Sequence, residues 1–228
     1  MVPGKQYSGF KAKEVSRPVN NGLWVAEDQE FFKCLDHLRH GFNRVHPVEV
    51  TRDVYSIAYS IFAANDIYSV GRKASATFFE ILIGHIISQV IGARPRKRVK
   101  IPESGKYLPT DFVFDPDEDK RKIHLPIKTS TRERGVQAWV HQLVLDRIFG
   151  DDVYLGIFVV GSETKRAVKT GKITEICVPH QFRMFQRRLA RLTRIYYLDP
   201  PDVYLGLAKE LPVRLFGKAV SELPGLLL

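Results

Sequence analysis

A hairpin pattern between residues 110 and 134 constrains the fold of this chain more than any other feature of its sequence. Asp111 opens a first strand of three apolar residues, and residues 115–119 follow as an acidic turn that contains one proline. Proline presets its φ angle and aspartate side chains bond back to the local backbone, so both residue types favour a turn. Residues 122–129 form the second strand. This hairpin would bring Asp111 and Lys128 close together at its open end.

The second strand alternates between two sets of side chains, which therefore lie on opposite faces of the predicted sheet. One face carries Ile123, Leu125 and Ile127. The other face carries Lys122, His124, Pro126 and Lys128.

Asp111 and Lys128 have useful chemistry if they lie side by side. A carboxylate beside an amine can hold a divalent metal and orient a water molecule. Hydrolysis of a phosphodiester needs those parts, a Lewis acid on the phosphate and an activated nucleophile. Each residue also has an ordinary interpretation, in which Asp111 is a strand-start aspartate bonded to the backbone and Lys128 is an exposed strand lysine.

The residues around this hairpin carry a resemblance to a known family. The segment Leu108–Asp111, the hairpin and the segment Pro126–Lys128 resemble the core of the PD-(D/E)xK nucleases. The segment that follows contains Arg132, Glu133 and Arg134. It resembles the matching segment of type II restriction endonucleases, in particular the branch that reads sites containing CC and GG. This resemblance implies a restriction-endonuclease-like α/β core, with a central mixed five-stranded sheet flanked by helices.

The resemblance also implies a reaction, the hydrolysis of phosphodiester bonds in double-stranded DNA with Mg²⁺ as the cofactor. It makes Asp111, Lys128 and Glu80 the catalytic residues, and Asp111 and Glu80 the metal ligands. Pro126 departs from the pattern, because an acid is usual two residues before the lysine. His141 departs too, since it stands where the branch often has a displaced acid. Glu80 is the candidate for the missing ligand, and its alternative interpretation is an exposed residue on the polar edge of a helix.

Two basic segments are assigned to DNA. Arg132 and Arg134 have the planar fork that bonds O6 and N7 of guanine, and Glu133 can accept a hydrogen bond from N4 of cytosine. The densest basic run of the chain, residues 94–100, can neutralise phosphates. Within it the predicted DNA-binding residues are Arg96, Lys97 and Arg98. The alternatives are a surface salt-bridge cluster for the first segment and a charged edge strand for the second.

Composition agrees with a nucleic-acid partner. The 228 residues carry a formal net charge of +10, which suits a polyanion. The two cysteines, Cys34 and Cys177, form no metal or disulfide pattern. The start of the chain has no signal-peptide pattern, and the longest apolar stretch, residues 81–91, is interrupted by polar residues. We therefore expect no membrane partner and a location in the cytoplasm of a bacterium or archaeon.

Residues 1–228 are expected to form a single nuclease domain, with a helical or arm region at about 1–70 and an extension at about 200–228. Helices are predicted at 27–40, 50–64, 75–91, 135–149 and 181–192, and the later strands at 153–160, 172–178 and 195–198.

Three functions fit these patterns. The first is a type II restriction enzyme of a restriction-modification system, acting as a homodimer on a palindromic site. The second is a nuclease of the same fold that cuts by DNA structure. The third is a DNA-binding protein that has lost catalysis, for which Pro126 is the main argument.

Overall fold

The computed structural model describes residues 28–42, 44–68, 74–102, 104–117, 119–131, 135–162, 179–200, 204, 206–207 and 209–228. The helices in this part of the chain are α1 (Asp28–His40), α2 (Pro47–Tyr68), α3 (Ala74–Ile91), α4 (Val136–Phe149), α5 (Pro179–Arg188) and α6 (Lys218–Leu226). The strands are β1 (Pro95–Lys100), β2 (Tyr107–Phe114), β3 (Lys122–Leu125), β4 (Ile127–Lys128), β5 (Tyr154–Ser162), β6 (Arg194–Asp199) and β7 (Val213–Leu215).

The strands form one mixed sheet in the order β1-β2-β3-β5-β6-β7, and β4 also pairs with β5. The first three strands are antiparallel, whereas the pairs around β5, β6 and β7 are parallel. The predicted hairpin is present, because Phe112 pairs with Leu125 and Phe114 with Ile123. The mixed sheet flanked by helices is therefore confirmed.

Within the described residues the sheet has seven strands instead of the expected five. The basic run pairs with β2 as an edge strand, as the alternative interpretation of its charge predicted, and Val213–Leu215 adds a further strand at the opposite edge. In addition, the predicted strand 122–129 is divided at Pro126, which has no N–H to donate to β5. The predicted strand 172–178 lies outside the described residues.

Helices cover both faces of the sheet. α2, α3 and α6 pack on the face that carries Ile123, Leu125 and Ile127. α4 and α5 pack on the other face around Trp139 and Phe182. Every residue of β5 is buried as a result, as its nearly continuous apolar sequence predicts.

Helix α3 is less buried than its sequence predicts. An almost uniformly apolar helix should lie inside the protein, but Phe78 and Ile81 are 54% and 52% exposed. The opposite side of α3 packs in the core, and by length and composition alone this helix could cross a membrane. α3 comes unusually close to β2 at Gly84, where an added Cβ would lie 2.6 Å from the ring of Phe112.

We expect Gly84→Ala to destabilise the fold by about 1–3 kcal/mol, because the methyl group would push α3 away from β2 or force the Phe112 ring off its rotamer. Urea unfolding followed by circular dichroism measures this change. Gly225→Ala is the matched control, since a Cβ at this helical glycine meets nothing within 4 Å. Equal stabilities for the two variants would contradict a close approach at Gly84.

Candidate active site

The pairing of β1 with β2 is interrupted where Asp111 lies. Between the pairs Arg96–Val113 and Arg98–Pro109, one residue of β1 faces three residues of β2. Asp111 is the middle residue of those three. Extra residues of this kind bend a strand and change the direction of its side chains, and they are common next to active sites. Asp111 therefore lies inside β2, although the sequence predicted that it opens the strand.

The carboxylate of Asp111 accepts two hydrogen bonds through the same oxygen, Oδ2. The ammonium of Lys128 donates one at 2.7 Å, and the backbone N–H of Ile127 donates the other at 2.8 Å. Both charged side chains are about one-fifth exposed, at 22% and 21%. The prediction that Asp111 and Lys128 meet at the open end of the hairpin is confirmed.

Pro126 explains why a side chain bonds to the backbone here. The proline separates β3 from β4, although its carbonyl still accepts a hydrogen bond of 3.0 Å from the N–H of Val159. On the β2 side, the N–H of Ile127 meets the Asp111 carboxylate in place of a strand carbonyl. A buried N–H without a partner is costly, so this bond helps to hold Asp111 in place.

Glu80 on α3 is half-buried and belongs electrostatically to the same group. Burial raises its pKa, the charge of Asp111 raises it further, and the charges of Lys128 and Lys97 lower it. All three groups are therefore near enough to influence its titration. The alternative interpretation, an exposed Glu80 on the polar edge of the helix, does not fit this half-buried position.

The fit of these residues to Mg²⁺ can be judged from their donor atoms. Within the described residues, Oδ1 of Asp111 has no hydrogen-bond partner. No three His, Cys, Asp or Glu side chains come together there in a group that could hold a metal ion. Magnesium keeps several waters and is commonly held by one or two carboxylates together with phosphate oxygens. The oxygen donors of Asp111 and Glu80 are therefore of the kind that a magnesium ion takes, with its other positions left to water and phosphate.

Two histidines, His124 and His141, are influenced by the charges of Asp111 and Lys128. His124 on β3 is fully buried, with its Nδ1 3.0 Å from Oε1 of Gln142 on α4. Its ring centroid is 6.0 Å from that of His141. Burial lowers the pKa of His141, the charge of Asp111 raises it and that of Lys128 lowers it. The sequence singled out His141 but assigned nothing to His124, because only the packing of α4 shows that this face of β3 is buried.

The predicted DNA-contacting residues of β1 are exposed and lie beside the break in β2. The ammonium of Lys97 is 5.2 Å from the centre of the Phe112 ring, and the guanidinium of Arg98 is 4.4 Å from that of Tyr107. A groove of about 700 Å³ is lined by Arg96, Lys97, Arg98, Lys100 and Tyr107. The predicted base-reading residues Arg132, Glu133 and Arg134 lie outside the described residues.

The comparisons with known proteins concern the fold. No protein family matches the sequence, and no relative is found among curated proteins. The structure is similar to the crystal structure of the type IIP restriction endonuclease Kpn2I, with a TM-score of 0.79 and 25% identity over 95% of this chain and 78% of Kpn2I. A complex of the restriction endonuclease PspGI with substrate DNA aligns over 76% of this chain and 72% of PspGI, with a TM-score of 0.46 and 15% identity, too loosely for a comparison of sites. The restriction-endonuclease-like fold is thus confirmed.

We expect Asp111→Asn to lower the pKa of Glu80 toward its ordinary value, because a nearby negative charge that disfavours ionisation is removed. The pKa should stay above the ordinary value, since burial is the larger cause. Lys128→Ala should shift it in the opposite direction. A carbon NMR titration of the Glu80 carboxyl in metal-free buffer measures both shifts, and shifts of the same sign would contradict this arrangement.

Proposed function

We propose that this chain is a magnesium-dependent, sequence-specific endonuclease of double-stranded DNA, acting as the type II restriction enzyme of a restriction-modification system. The observation that carries the proposal is the Asp111–Lys128 contact of 2.7 Å at a break in strand register. It occurs in a fold similar to that of Kpn2I, which is a type IIP restriction endonuclease. A location in the cytoplasm of a bacterium or archaeon goes with this proposal.

In the proposed site, Asp111 and Glu80 would hold Mg²⁺, which acts as a Lewis acid on the phosphate when it is bound. Lys128 would place its ammonium beside the phosphate and stabilise the charge that develops there. The bond between Lys128 and Asp111 keeps both groups on the same side of the sheet. One carboxylate oxygen is thus committed to positioning, and the other is available for a ligand.

The basic edge strand supports DNA as the substrate. Lys97 lies opposite the three residues of β2 that include Asp111, so the basic surface and the candidate site are continuous. A DNA backbone that binds along β1 would bring one of its phosphates to Asp111. Arg132, Glu133 and Arg134 follow Lys128 closely in the chain and are proposed to read guanine and cytosine in the major groove.

A homodimer would match the two-fold symmetry of a palindromic site. Helix α3 offers apolar surface for such a contact, because Phe78 and Ile81 are both more than half exposed. On α1, Phe32 is 73% exposed and Leu35 is 39% exposed. A contiguous apolar patch built from such residues would suit contact with a second copy of the chain.

The test is digestion of a sequenced phage DNA with Mg²⁺ or with EDTA. We expect discrete fragments that require Mg²⁺, and a loss of cleavage on the order of 100-fold or more in Lys128→Ala, because a positioned charge that acts in the transition state is removed. Lys122→Ala is the matched control. Lys122, on β3, makes a similar contact of 2.9 Å with Asp115, just after β2, at the other end of the hairpin.

Each other outcome favours a different function. A smear of products would indicate a nuclease directed by DNA structure. DNA binding without cleavage in any divalent metal would mean that Pro126 marks an inactive site. Equal activity in Lys128→Ala and Lys122→Ala would remove Lys128 from the site.

The salt dependence of DNA binding tests the role of β1. Each phosphate contact that is lost should reduce the slope of log K against log salt by about 1. We expect Lys97→Ala and Arg98→Ala each to show this change in fluorescence anisotropy titrations in EDTA. Lys120→Ala, in the turn where Lys120 pairs with Asp117, should leave the slope unchanged. An unchanged slope in all three variants would place the DNA backbone elsewhere.

A further inference from the structure

Lys128 lies at the end of a very short strand. It is the last residue of β4, and it pairs with Val160 of β5. One residue further along the chain, the carbonyl of Thr129 accepts a hydrogen bond of 3.0 Å from the N–H of Ser162, which is the last residue of β5. The backbone on the C-terminal side of Lys128 is therefore attached to the end of β5.

The end of β5 in turn lies beside the end of β6. Ser162 pairs with Asp199, the last residue of β6, in the parallel ladder between these strands. Thr129, Ser162 and Asp199 thus form a row across the end of the sheet. A Cβ at Gly161 would lie 2.8 Å from the carbonyl oxygen of Thr129, so the two backbones come close together in this row. The ends of strands are where a sheet opens most easily, and a contact from outside the sheet would oppose that opening.

Helix α2 makes such a contact through Tyr55. The hydroxyl of Tyr55 donates a hydrogen bond of 3.2 Å to Oδ2 of Asp199. Both residues are buried, with exposed fractions of 1% and 0%. Burial raises the pKa of Tyr55 and the charge of Asp199 raises it further, whereas Ser162 lowers it, and the balance is well above the ordinary value. The hydroxyl therefore keeps its proton and remains a donor to the carboxylate.

Helix α2 is itself fixed close to Tyr55. One turn earlier, the hydroxyl of Thr51 accepts a hydrogen bond of 2.8 Å from the N–H of Gly217, immediately before α6. A Cβ at Gly217 would collide with the carbonyl oxygen of Pro47, so the start of α2 and the start of α6 pack backbone against backbone. Tyr55 thus connects the end of the sheet to a part of the protein that is firmly packed.

The polar character of the contact favours a role in positioning. Removing a carboxylate from water costs free energy, and an apolar pair of similar size is often at least as stable. Apolar packing tolerates small displacements, because it has no preferred direction. A hydrogen bond weakens as its distance and angle depart from the optimum. A buried bond between a tyrosine and an aspartate at the last residue of a strand therefore fixes that strand end in one place.

We propose that the bond between Tyr55 and Asp199 holds this end of the sheet and thereby positions Lys128 for the reaction. The connection runs from Asp199 through Ser162 to Thr129, the residue after Lys128. Tyr55 and Asp199 are positioning residues, because both are buried and act through the backbone. This role rests on the proposed endonuclease function.

A small displacement of Lys128 is enough to slow the reaction. Its ammonium is 2.7 Å from the carboxylate of Asp111, and a shift of the strand end would change this contact and the place of the positive charge beside the phosphate. An error of about 1 Å in the position of a reacting group can slow a reaction on the order of 100-fold. The loss of one hydrogen bond at the strand end should move Lys128 by less than this, so we expect a smaller effect.

Two matched variants test the proposal. Tyr55→Phe removes only the hydroxyl, and we expect single-turnover cleavage at saturating DNA to slow about tenfold, with little change in the dissociation constant of DNA. Tyr196→Phe is the control, because Tyr196 also lies on β6, is fully buried and donates a hydrogen bond of 3.1 Å to Oε2 of Glu222 on α6. Both variants lose one bond from a tyrosine to a carboxylate, so urea unfolding should show similar losses of stability. Tyr196→Phe should nevertheless cut at a rate close to that of the wild type.

Hydrogen exchange of the metal-free and DNA-free protein gives a readout that does not depend on activity. The N–H of Ser162 reports directly on the row at the end of the sheet, because it is bonded to the carbonyl of Thr129. We expect this N–H to exchange about tenfold faster in Tyr55→Phe, measured against the amides in the middle of β5, since the strand end opens more often. In Tyr196→Phe the ratio of these exchange rates should stay at the wild-type value.

Equal cleavage rates in Tyr55→Phe and Tyr196→Phe would overturn the proposal, and so would an unchanged exchange ratio for Ser162 in Tyr55→Phe. A wild-type protein that never cuts would overturn the proposed function and, with it, the role of this bond in cleavage. The exchange of Ser162 would still decide whether Tyr55 holds the end of the sheet.

Discussion

The bond between the Asp111 carboxylate and the backbone N–H of Ile127 is the contact on which the site depends. The break in β2 turns the carboxylate toward the second strand, and Pro126 interrupts that strand one residue before Ile127. If the carboxylate moved away, the N–H would lose its partner. Lys128 binds the same oxygen, so the positions of both charged groups follow from this backbone contact. The geometry of the proposed chemistry is therefore part of the sheet itself.

The helices on the two faces of the sheet bring further groups near the Asp111–Lys128 pair, because two glycines allow close packing. Gly84 lets α3 approach the ring of Phe112, and Glu80 lies one turn earlier on the same helix. Gly156 lets the amide of Gln142 lie against β5, and the adjacent residue of α4 is His141. Sites that are carried by helices and strands are positioned more accurately than sites on loops. Packing at two glycines thus helps to decide what surrounds the Asp111–Lys128 pair.

The sequence predicts those features that depend on local chemistry. The hairpin, α3 and β5 follow from turn residues and from periodicity. The break at Asp111 is not visible in the sequence, because it exists only relative to β1. The burial of His124 depends on the packing of α4, and the exposure of Phe78 depends on which face of α3 is left uncovered. The sequence pattern of a helix does not say how many of its sides have neighbours.

Because position 126 is a proline, the candidate site has less negative charge than it would have with an acid there. An acid at position 126 would add a third carboxylate near Asp111 and Glu80, and the pKa of Glu80 is already raised by burial and by the charge of Asp111. Without that acid, two carboxylates and the ammonium of Lys128 would attract a divalent cation less strongly than a site with three carboxylates. A DNA phosphate beside Asp111 would supply the missing negative charge, so cation and DNA would each strengthen the binding of the other. In the proposed enzyme, Pro126 would then mark a site that is completed by its substrate, and the proline alone does not imply that catalysis has been lost.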